Sequence, residues 1–504
     1  MAVGVAAGFS GGAAADVPPS LAEAASPNAA GEPSGQLRFG YYILPTSFDP
    51  HLSTNPYDQI GLALTYDRLV HLTPDGEAVA GLAERWVFSE DGLTLDLTIR
   101  DGVEFHDGEQ LTPEAVVASL DRAKNLEGST SAGSLEAVEA IDVVDGVVRL
   151  SLSTPAAQLP LVLAERAGMI ISPAALEADL ATEPVGAGMY RLTDLRIGDV
   201  ATFEAFDGYW DPDAIGVESV VYRQVTDVTT ALNAARAGEL DIVPLDANSV
   251  SPAEDSGLTI VRGPTVTTQT IQFNRAVAPF DDVRVRQAVN HAIDRDALVE
   301  GIFLGFARPA GQLFSSNSPA FDEATGADPY PYDLERAREL LTEAGFPDGM
   351  DMELIASTIP AHQLMATGVQ AQLGNAGIDV TIRTLPPEQI TEVAYVNQDL
   401  QAQLAFGGSL DPVIVMTNYF GVDSFSNPGR HTTPEMTEAL EAANLPGDGR
   451  NAALQHASAV VSEQALTAPL VFADGIFAAA PGVEGFVHWV SARPEFRGVH
   501  AEEG

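Results

Sequence analysis

The second half of the chain alternates between helix-like and strand-like segments, and this alternation limits the possible folds most strongly. Apolar residues recur at helical spacing over about 282–300 and again over 333–345. Ile378, Val380 and Ile382 alternate with polar residues, as is typical of a strand with one buried face. Because helices that alternate with strands build α/β domains, the sequence predicts an α/β fold.

The first half of the chain adds strand, turn and helix signals. Alternation over 93–99 predicts a strand. The dipeptide Asp145-Gly146 lies between two apolar segments and favours a type I′ turn, which predicts a β-hairpin. Thr112 followed by Pro113 is the pattern of an N-cap and a first helical residue, so a helix is expected to begin there.

Charge and cysteine content exclude several partners and chemistries. With 25 basic and 71 acidic residues, the net charge of −46 repels nucleic acid and anionic membrane surfaces. The absence of Cys excludes disulfides, Cys-ligated zinc and thiol nucleophiles. The apolar runs fall short of the roughly 18 residues expected of a membrane helix. We therefore expect no nucleic-acid partner and no membrane-spanning segment.

Residues 1–35 differ in composition from the rest of the chain. The first nine residues are apolar and rich in small residues, and 13–35 is rich in Ala, Pro, Ser, Glu and Gly, a composition that buries little surface. The sequence predicts a disordered leader, either a residual signal or a tether, with folded structure from near Gln36. The segment around Phe9 also resembles a lipoprotein cleavage site in which Phe9 stands at the position of the lipidated Cys.

Motifs for enzymatic chemistry are weak. A G-x-S-x-G pattern at residues 8–12 lacks the preceding strand and following helix that a nucleophile elbow needs. Gly186 and Gly188 lack the third glycine of a dinucleotide-binding motif, so a tight turn is their expected use. The nine His residues include no H-E-x-x-H zinc motif. We therefore expect no catalytic residues, no bound metal and no cofactor.

A series of segments in a fixed order carries the strongest functional signal. The segments are AGLAERW (80–86), SEDGLT (89–94), IRDGVEFHDG (99–108), LTPE (111–114), PVGAGMY (184–190), YW (209–210), FN (273–274), PFDDVRVRQA (279–288) and AIDR (292–295). Together they span most of the chain. Their sequence resembles that of bacterial family 5 extracellular solute-binding proteins, the peptide/nickel-type receptors of ABC importers.

The resemblance implies the two-lobed periplasmic-binding-protein-like fold, in its large form with an extra subdomain in lobe I. On this chain, lobe I is expected to comprise 36–264 and 469–504, with the extra subdomain at about 56–182. Lobe II is expected at 265–468. The ligand would lie in the cleft between the lobes, which close around a hinge where the chain crosses.

The resemblance also implies partners and a location. The protein is expected to be a monomer at the extracellular face of the cell envelope, secreted or lipid-anchored, and periplasmic in a Gram-negative cell. It would deliver a small-molecule or peptide ligand to separate permease and ATPase subunits of an ABC importer. A hydrolase and a peptide-holding chaperone or sensor are alternative functions on a similar body.

A peptide is the ligand expected from the resemblance, but its usual charge anchors are missing. In dipeptide-type relatives, the first Asp of a D-x-x-D-P loop holds the peptide ammonium, and Gly408 stands at that place here. Those relatives hold the peptide carboxylate with Arg-Pro-Tyr, whereas 356–358 reads Ala-Ser-Thr. Because burying an unpaired charge costs several kcal/mol, a dipeptide bound in that mode is disfavoured. Longer peptides, oligosaccharides and a nickel or copper chelate stay open.

The predicted ligand contacts come from three loops. They are Thr46, Ser47 and Phe48 after the first strand, Phe273 and Asn274 at the lobe crossing, and Gly407, Gly408, Ser409 and Asp411 in lobe II. Some of these residues have a structural alternative. Phe273 is a candidate core residue, Asn274 a candidate turn residue, and Asp411 a candidate cap before Pro412.

Overall fold

The computed structural model describes residues 33–502, and one large mixed sheet dominates its architecture. The strands are β1 (Gln36–Tyr41), β2 (Val70–Leu72), β3 (Ala78–Ala80), β4 (Ala83–Phe88), β5 (Thr94–Ile99), β6 (Val138–Val144), β7 (Val147–Leu152), β8 (Tyr190–Arg196), β9 (Val200–Ala205), β10 (Ser219–Gln224), β11 (Ile242–Pro244), β12 (Thr259–Phe273), β13 (Ala307–Pro309), β14 (Met350–Ser357), β15 (Ile378–Leu385), β16 (Ala402–Gly407), β17 (Thr467–Ala479), β18 (Val483–Glu484) and β19 (His500–Ala501). The α-helices are α1 (Gln59–Thr65), α2 (Pro113–Asn125), α3 (Leu159–Val162), α4 (Val228–Arg236), α5 (Val250–Glu254), α6 (Val283–His291), α7 (Arg295–Phe303), α8 (Leu334–Glu343), α9 (Pro360–Asn375), α10 (Pro387–Ile390), α11 (Pro412–Phe420), α12 (Pro434–Ala443) and α13 (Arg450–Glu463). Across residues 33–502, every helix is too short or too polar to span a lipid bilayer.

The large sheet has two halves that share two long strands. Its strand order is β15–β14–β16–β12–β17–β11–β1–β10–β9–β8, with β13 beside β17. The strands β12 and β17 run antiparallel to each other, and their register shifts between Pro264 and Thr268. The last part of β17 pairs with β11, whereas the last part of β12 pairs with β16. These two strands therefore connect the halves, and the irregular register lies between them.

Each half of the sheet has its own apolar core. In one half, Phe39 of β1 packs between Tyr222 and Phe496, with ring centroids 5.0 Å apart in both pairs. The core of the other half surrounds β14, β15 and β16 with helices α6 to α9. A third core lies between the four-stranded sheet β4–β5–β7–β6 and α2. Parts with separate cores can move relative to one another as rigid bodies.

Several local predictions are confirmed. The strand predicted over 93–99 is β5, in which buried and half-buried residues alternate. The hairpin of β6 and β7 turns at Asp145 and Gly146, whose φ angles are 51° and 84°. Thr112 caps α2 by accepting a hydrogen bond from the backbone N–H of Ala115 at 3.2 Å. These features are fixed by residues close in sequence, which is why the pattern predicts them.

The single helix predicted over about 282–300 is wrong, because the chain forms two helices there, α6 and α7. The break lies at 292–294, where Asp294 accepts a hydrogen bond from the backbone N–H of Ala297 at 2.9 Å. Asp is a strong N-cap and a weak helix-interior residue. It therefore starts a new helix rather than extending the first.

The predicted division of the chain stays a prediction. Its boundaries at 264–265 and 468–469 fall within β12 and β17, the strands that connect the two halves of the sheet. Of the leader predicted for 1–35, residues 1–32, which include the Phe9 segment, lie outside the described residues. The first strand, β1, begins at Gln36.

The turn at Gly186 and Gly188 packs directly on the end of α1. A Cβ atom at Gly188 would lie 2.5 Å from the carbonyl carbon of Thr65. We therefore expect Gly188→Ala to lower the free energy of unfolding by about 1–3 kcal/mol, measured by urea denaturation. As a control, Gly301→Ala in α7 meets no atom within 4 Å and should be neutral or stabilising. Equal effects of the two substitutions would contradict this packing role.

Candidate functional site

A cavity of about 390 Å³ lies where the two halves of the large sheet meet the part of the chain built on the four-stranded sheet β4–β5–β7–β6, which we call the subdomain. We call this cavity the cleft. Its lining comes from distant parts of the chain, namely Tyr57, Thr130, Ser131, Ser134, Leu161, Val162, Glu165, Arg166, Ala167, Val266, Thr267, Gly408, Ser409, Leu410, Asp411, Ile414, Ser491 and Arg493. The volume falls in the range of roughly 300–1,000 Å³ that is usual for small-ligand sites.

One wall of the cleft is the loop that follows β16. Gly408 lies so close to the connecting strand β12 that a Cβ atom would be 2.8 Å from the Cα of Thr267. Asp411 is buried and caps α11 by accepting the backbone N–H of Val413 at 3.0 Å. Its other carboxylate oxygen accepts a hydrogen bond from Arg450 Nη2 at 2.5 Å. The Asp411 charge is therefore already neutralised within the protein.

We expect Asp411→Ala to destabilise the protein more than the loss of a cap alone. The substitution removes both the cap and the Arg450 pair, and should lower the free energy of unfolding by about 2–4 kcal/mol. The matched control is Asp333→Ala, which removes the exposed cap of α8 and should cost only about 1 kcal/mol. Urea denaturation of both variants measures the difference. Unchanged stability with a selective loss of binding to peptides with a free amino terminus would instead make Asp411 a ligand anchor.

The opposite wall contains a charged pair and an additional arginine. Arg493 donates two hydrogen bonds to the Glu165 carboxylate, at 2.9 and 2.5 Å, and a third to Gln59 Oε1 at 3.1 Å. This ion pair joins the subdomain to the C-terminal segment. The Glu165 charge, like that of Asp411, has its partner within the protein.

Arg166 differs from the other charged residues of the cleft. It donates hydrogen bonds to the backbone carbonyl and hydroxyl of Ser53, the latter at 3.3 Å. Among the side chains that the structure describes, no carboxylate lies within ion-pair distance of Arg166, and Glu165 and Asp58 stabilise its charge only at longer range. Burial lowers the pKa of Arg166, because the charged guanidinium loses solvation. An anionic group of a ligand would restore that lost stabilisation.

The remaining polar groups of the cleft are uncharged. Hydroxyl groups line it at Thr130, Ser131, Ser134, Ser409 and Ser491. Hydroxyls both donate and accept hydrogen bonds, so they suit the alternating N–H and C=O groups of a peptide backbone. The exposed side chain of Tyr57 adds an aromatic surface. The cleft therefore combines one cationic position with adaptable hydrogen-bonding groups.

The structure places the predicted contact residues in different environments. Gly408, Ser409 and Asp411 line the cleft, while Gly407 lies one residue outside it and packs on the Tyr419 hydroxyl. Of the three residues after β1, Thr46 is exposed, Ser47 is half-buried and Phe48 belongs to the core. None of these three lines the cleft.

The two residues predicted at the crossing have structural partners. Phe273 is fully buried, and its ring stacks on that of Phe280 with centroids 4.8 Å apart. Asn274 is also buried; it donates a hydrogen bond to the Leu400 carbonyl at 3.1 Å and accepts one from the Ala276 N–H at 3.2 Å. Its side chain thus holds a turn, the alternative considered from the sequence.

The sequence interpretation missed Glu165, Arg166 and Arg493. A local signal existed for the first two, because they interrupt an otherwise apolar segment, 159–171. Charged residues within such a segment need a partner or a function. For Arg493 the sequence offers no comparable signal, since its partner Glu165 lies 328 positions away.

Comparison with known proteins agrees with this architecture. The family described as bacterial extracellular solute-binding proteins, family 5 Middle, matches residues 77–427. The glutathione-binding protein GsiB of Salmonella paratyphi A is 34% identical over 353 residues, which cover 68% of each chain. GsiB of Escherichia coli O157:H7 is 31% identical over 354 residues, again 68% of each chain.

Solved structures of two-lobed periplasmic binding proteins share the fold. DppA from Helicobacter pylori in complex with the peptide STSA superposes with a TM-score of 0.78 and 22% identity, covering 94% of this chain and 99% of its own. NikA from Brucella suis in complex with Fe(III)-EDTA gives 0.83 and 23%, covering 93% and 100%. The predicted two-lobed α/β fold is confirmed. This chain belongs to the family 5 bacterial extracellular solute-binding proteins.

Proposed function

We propose that this protein is the receptor of an ABC importer and that it binds a carboxylate-bearing peptide in the cleft. The observation that carries the proposal is Arg166, a partly buried cation that lines the cleft and makes no ion pair with any side chain that the structure describes. A ligand carboxylate there gains a charge-assisted, bidentate hydrogen bond. The hydroxyl-lined walls then hold the backbone of the peptide.

The charge balance of the cleft favours anionic over cationic ligands. Asp411 is paired with Arg450, and Glu165 is paired with Arg493, so neither carboxylate offers a free charge to a ligand ammonium. Arg166 makes no ion pair with a described side chain, although Asp58 and Glu165 stabilise its charge at longer range, so its guanidinium can still contact a ligand carboxylate directly. Glutathione, named for the GsiB relatives, is a tripeptide with two carboxylates, which supports a ligand of this size and charge for the present chain.

We further propose that the protein acts by binding and closure rather than by turnover. The lobes, 36–264 with 469–504 and 265–468, would close around the ligand, and separate permease and ATPase subunits would recognise the closed form. A monomer at the extracellular face of the cell envelope suffices for this role. We propose that the protein is either secreted or held there by a lipid anchor, which follows from the leader predicted for residues 1–35.

A thermal-shift panel tests the ligand class. The panel contains reduced glutathione, tripeptides to pentapeptides, neutral oligosaccharides, and nickel with and without free histidine. At 100 times Kd a ligand adds about 2.7 kcal/mol, which raises the Tm of a chain this long by about 2–3 °C. We expect the shift with carboxylate-bearing peptides. A shift with oligosaccharides alone would overturn the ligand class, and mass spectrometry that detects cleaved peptide would overturn the receptor role in favour of a hydrolase.

A further inference from the structure

The two connecting strands meet at a pair of glycines that a histidine covers. Gly263 of β12 is paired with Gly475 of β17, next to the register shift. A Cβ atom at Gly263 would lie 2.5 Å from Cδ2 of His488, and its three nearest contacts would all be atoms of that ring. At Gly475 the nearest atom would be Cε1 of His488, at 3.3 Å. The missing side chains thus make room for the imidazole.

Hydrogen bonds fix this histidine and its neighbours to the same stretch of β12. The Pro264 carbonyl can only accept, so His488 Nε2 carries the proton and donates to it at 2.8 Å. Two residues on, the Val490 carbonyl accepts the backbone N–H of Val266 at 2.9 Å. The N–H of Val490 donates in turn to the Pro74 carbonyl at 3.0 Å. We call residues 488–493 the C-terminal strap.

The other end of the C-terminal strap reaches the cleft. Ser491 and Arg493 line it, and Arg493 makes the ion pair with Glu165. One six-residue segment therefore contacts both the connecting strands and the ligand site. The carbonyl that accepts the His488 hydrogen bond belongs to the backbone of β12. If β12 rotates at Pro264, this hydrogen bond must therefore break or His488 must move with the strand.

We propose that His488 is a positioning residue for lobe closure, which holds the connecting strands in one hinge geometry. The inference rests on the proposed receptor function, in which the lobes move about β12 and β17. The imidazole fills the space above the glycine pair, and its hydrogen bond to Pro264 limits the directions in which the hinge can bend. Without it, the lobes sample a wider range of relative orientations.

Three variants separate the ring from its hydrogen bond. His488→Phe keeps an aromatic ring over the glycines but cannot donate, whereas His488→Gln keeps a donor at the position of Nε2. Gly263→Ala keeps His488 in the sequence, but the added methyl group displaces its ring. Because the contacts of that added methyl group are with His488, Gly263→Ala should be much less disruptive in a His488→Ala background.

Distances between spin labels on the two lobes measure hinge geometry without any ligand. The chain has no Cys, so Glu139→Cys in β6 and Glu438→Cys in α12, both exposed, give two unique labels. Double electron–electron resonance between the two spin labels should give a narrow interlobe distance distribution in the parent chain and in the His488→Gln variant. It should broaden and shift with His488→Phe and with Gly263→Ala, while circular dichroism reports an intact fold.

Unchanged distance distributions in folded His488→Phe and Gly263→Ala variants would overturn the role of His488. Equal disruption by Gly263→Ala with and without the histidine would overturn it as well, even if one single variant failed to fold. Because no ligand is added, these outcomes do not depend on whether the cleft binds a carboxylate-bearing peptide. If no carboxylate-bearing peptide shifts the Tm but the interlobe distances change in these variants, the proposed ligand is contradicted and the hinge role is still supported.

Discussion

Arg166→Ala is expected to weaken the binding of a carboxylate-bearing peptide by about 100-fold. Removing one partner of a buried charge pair costs roughly 2–5 kcal/mol, and each 1.4 kcal/mol is a factor of ten in Kd. The effect is large because Arg493, the other arginine that lines the cleft, is already paired with Glu165 and is therefore less able to take over the ligand carboxylate. Isothermal titration calorimetry of the parent chain and the variant measures it directly.

Two controls distinguish a ligand anchor from a structural arginine. Arg166→Lys keeps the charge but loses the bidentate geometry, so an intermediate affinity is expected. Arg196→Ala removes an arginine whose side chain is 66% exposed, and should leave Kd unchanged. Arg166 also donates to Ser53, so the Tm of each variant must be recorded. Equal affinity of Arg166→Ala and the parent for the peptide would contradict the anchoring role.

Asp67→Ala is expected to lower the free energy of unfolding by about 3–5 kcal/mol. The Asp67 carboxylate is buried and accepts hydrogen bonds from His71 Nε2, from the Tyr209 hydroxyl at 3.0 Å and from Trp210 Nε1 at 2.6 Å. Its removal leaves these three side-chain donors and the backbone N–H of Arg68 without an acceptor, and it removes one of the two carboxylates near Arg497, which keeps its ion pair with Asp211. Guanidinium denaturation of the variant against the parent chain measures the loss. The matched control is Asp194→Ala, at a carboxylate that is 63% exposed, which should change stability by less than about 0.5 kcal/mol.

The same carboxylate predicts how stability depends on pH. Burial by itself raises the pKa of Asp67, but His71 and Arg497 outweigh it and hold the pKa well below its ordinary value. Because this pKa is depressed, the stabilisation that the ionised Asp67 carboxylate gives the folded state is fully present above about pH 4, the pKa of Asp in the unfolded chain. It is lost as the pH falls from there towards the lower pKa of the folded state. Asp67→Asn should therefore flatten the acid side of the stability profile. A profile identical to that of the parent would contradict the pKa assignment.

The features predicted from sequence are those in which neighbouring residues decide the structure. The alternation in β5, the Asp145-Gly146 turn and the Thr112 cap each depend on a few adjacent side chains. The break between α6 and α7 was missed because the apolar spacing continues through it, although Asp294 carried the capping signal. Helical periodicity by itself does not locate such a break.

The site was harder to predict, because it is assembled across long sequence separations. The family resemblance pointed to the loop with Gly408, Ser409 and Asp411, three residues that line the cleft. It gave no indication that Arg450 neutralises Asp411, or that Arg493 reaches Glu165 from the C-terminal strap. Which charges remain available to a ligand follows from those pairings. The sequence lists the charged residues but does not state which of them are paired.

The central claim is that the cleft recognises a carboxylate, and a matched pair of peptides tests it most directly. One tripeptide with a free carboxyl terminus and the same tripeptide amidated at that terminus, both without acidic side chains, differ only in the charge offered to Arg166. Calorimetric titration of the parent chain should give a stoichiometry of one for the free acid and an affinity about 100-fold lower for the amide. Equal affinities, or tighter binding of the amide, would contradict the account.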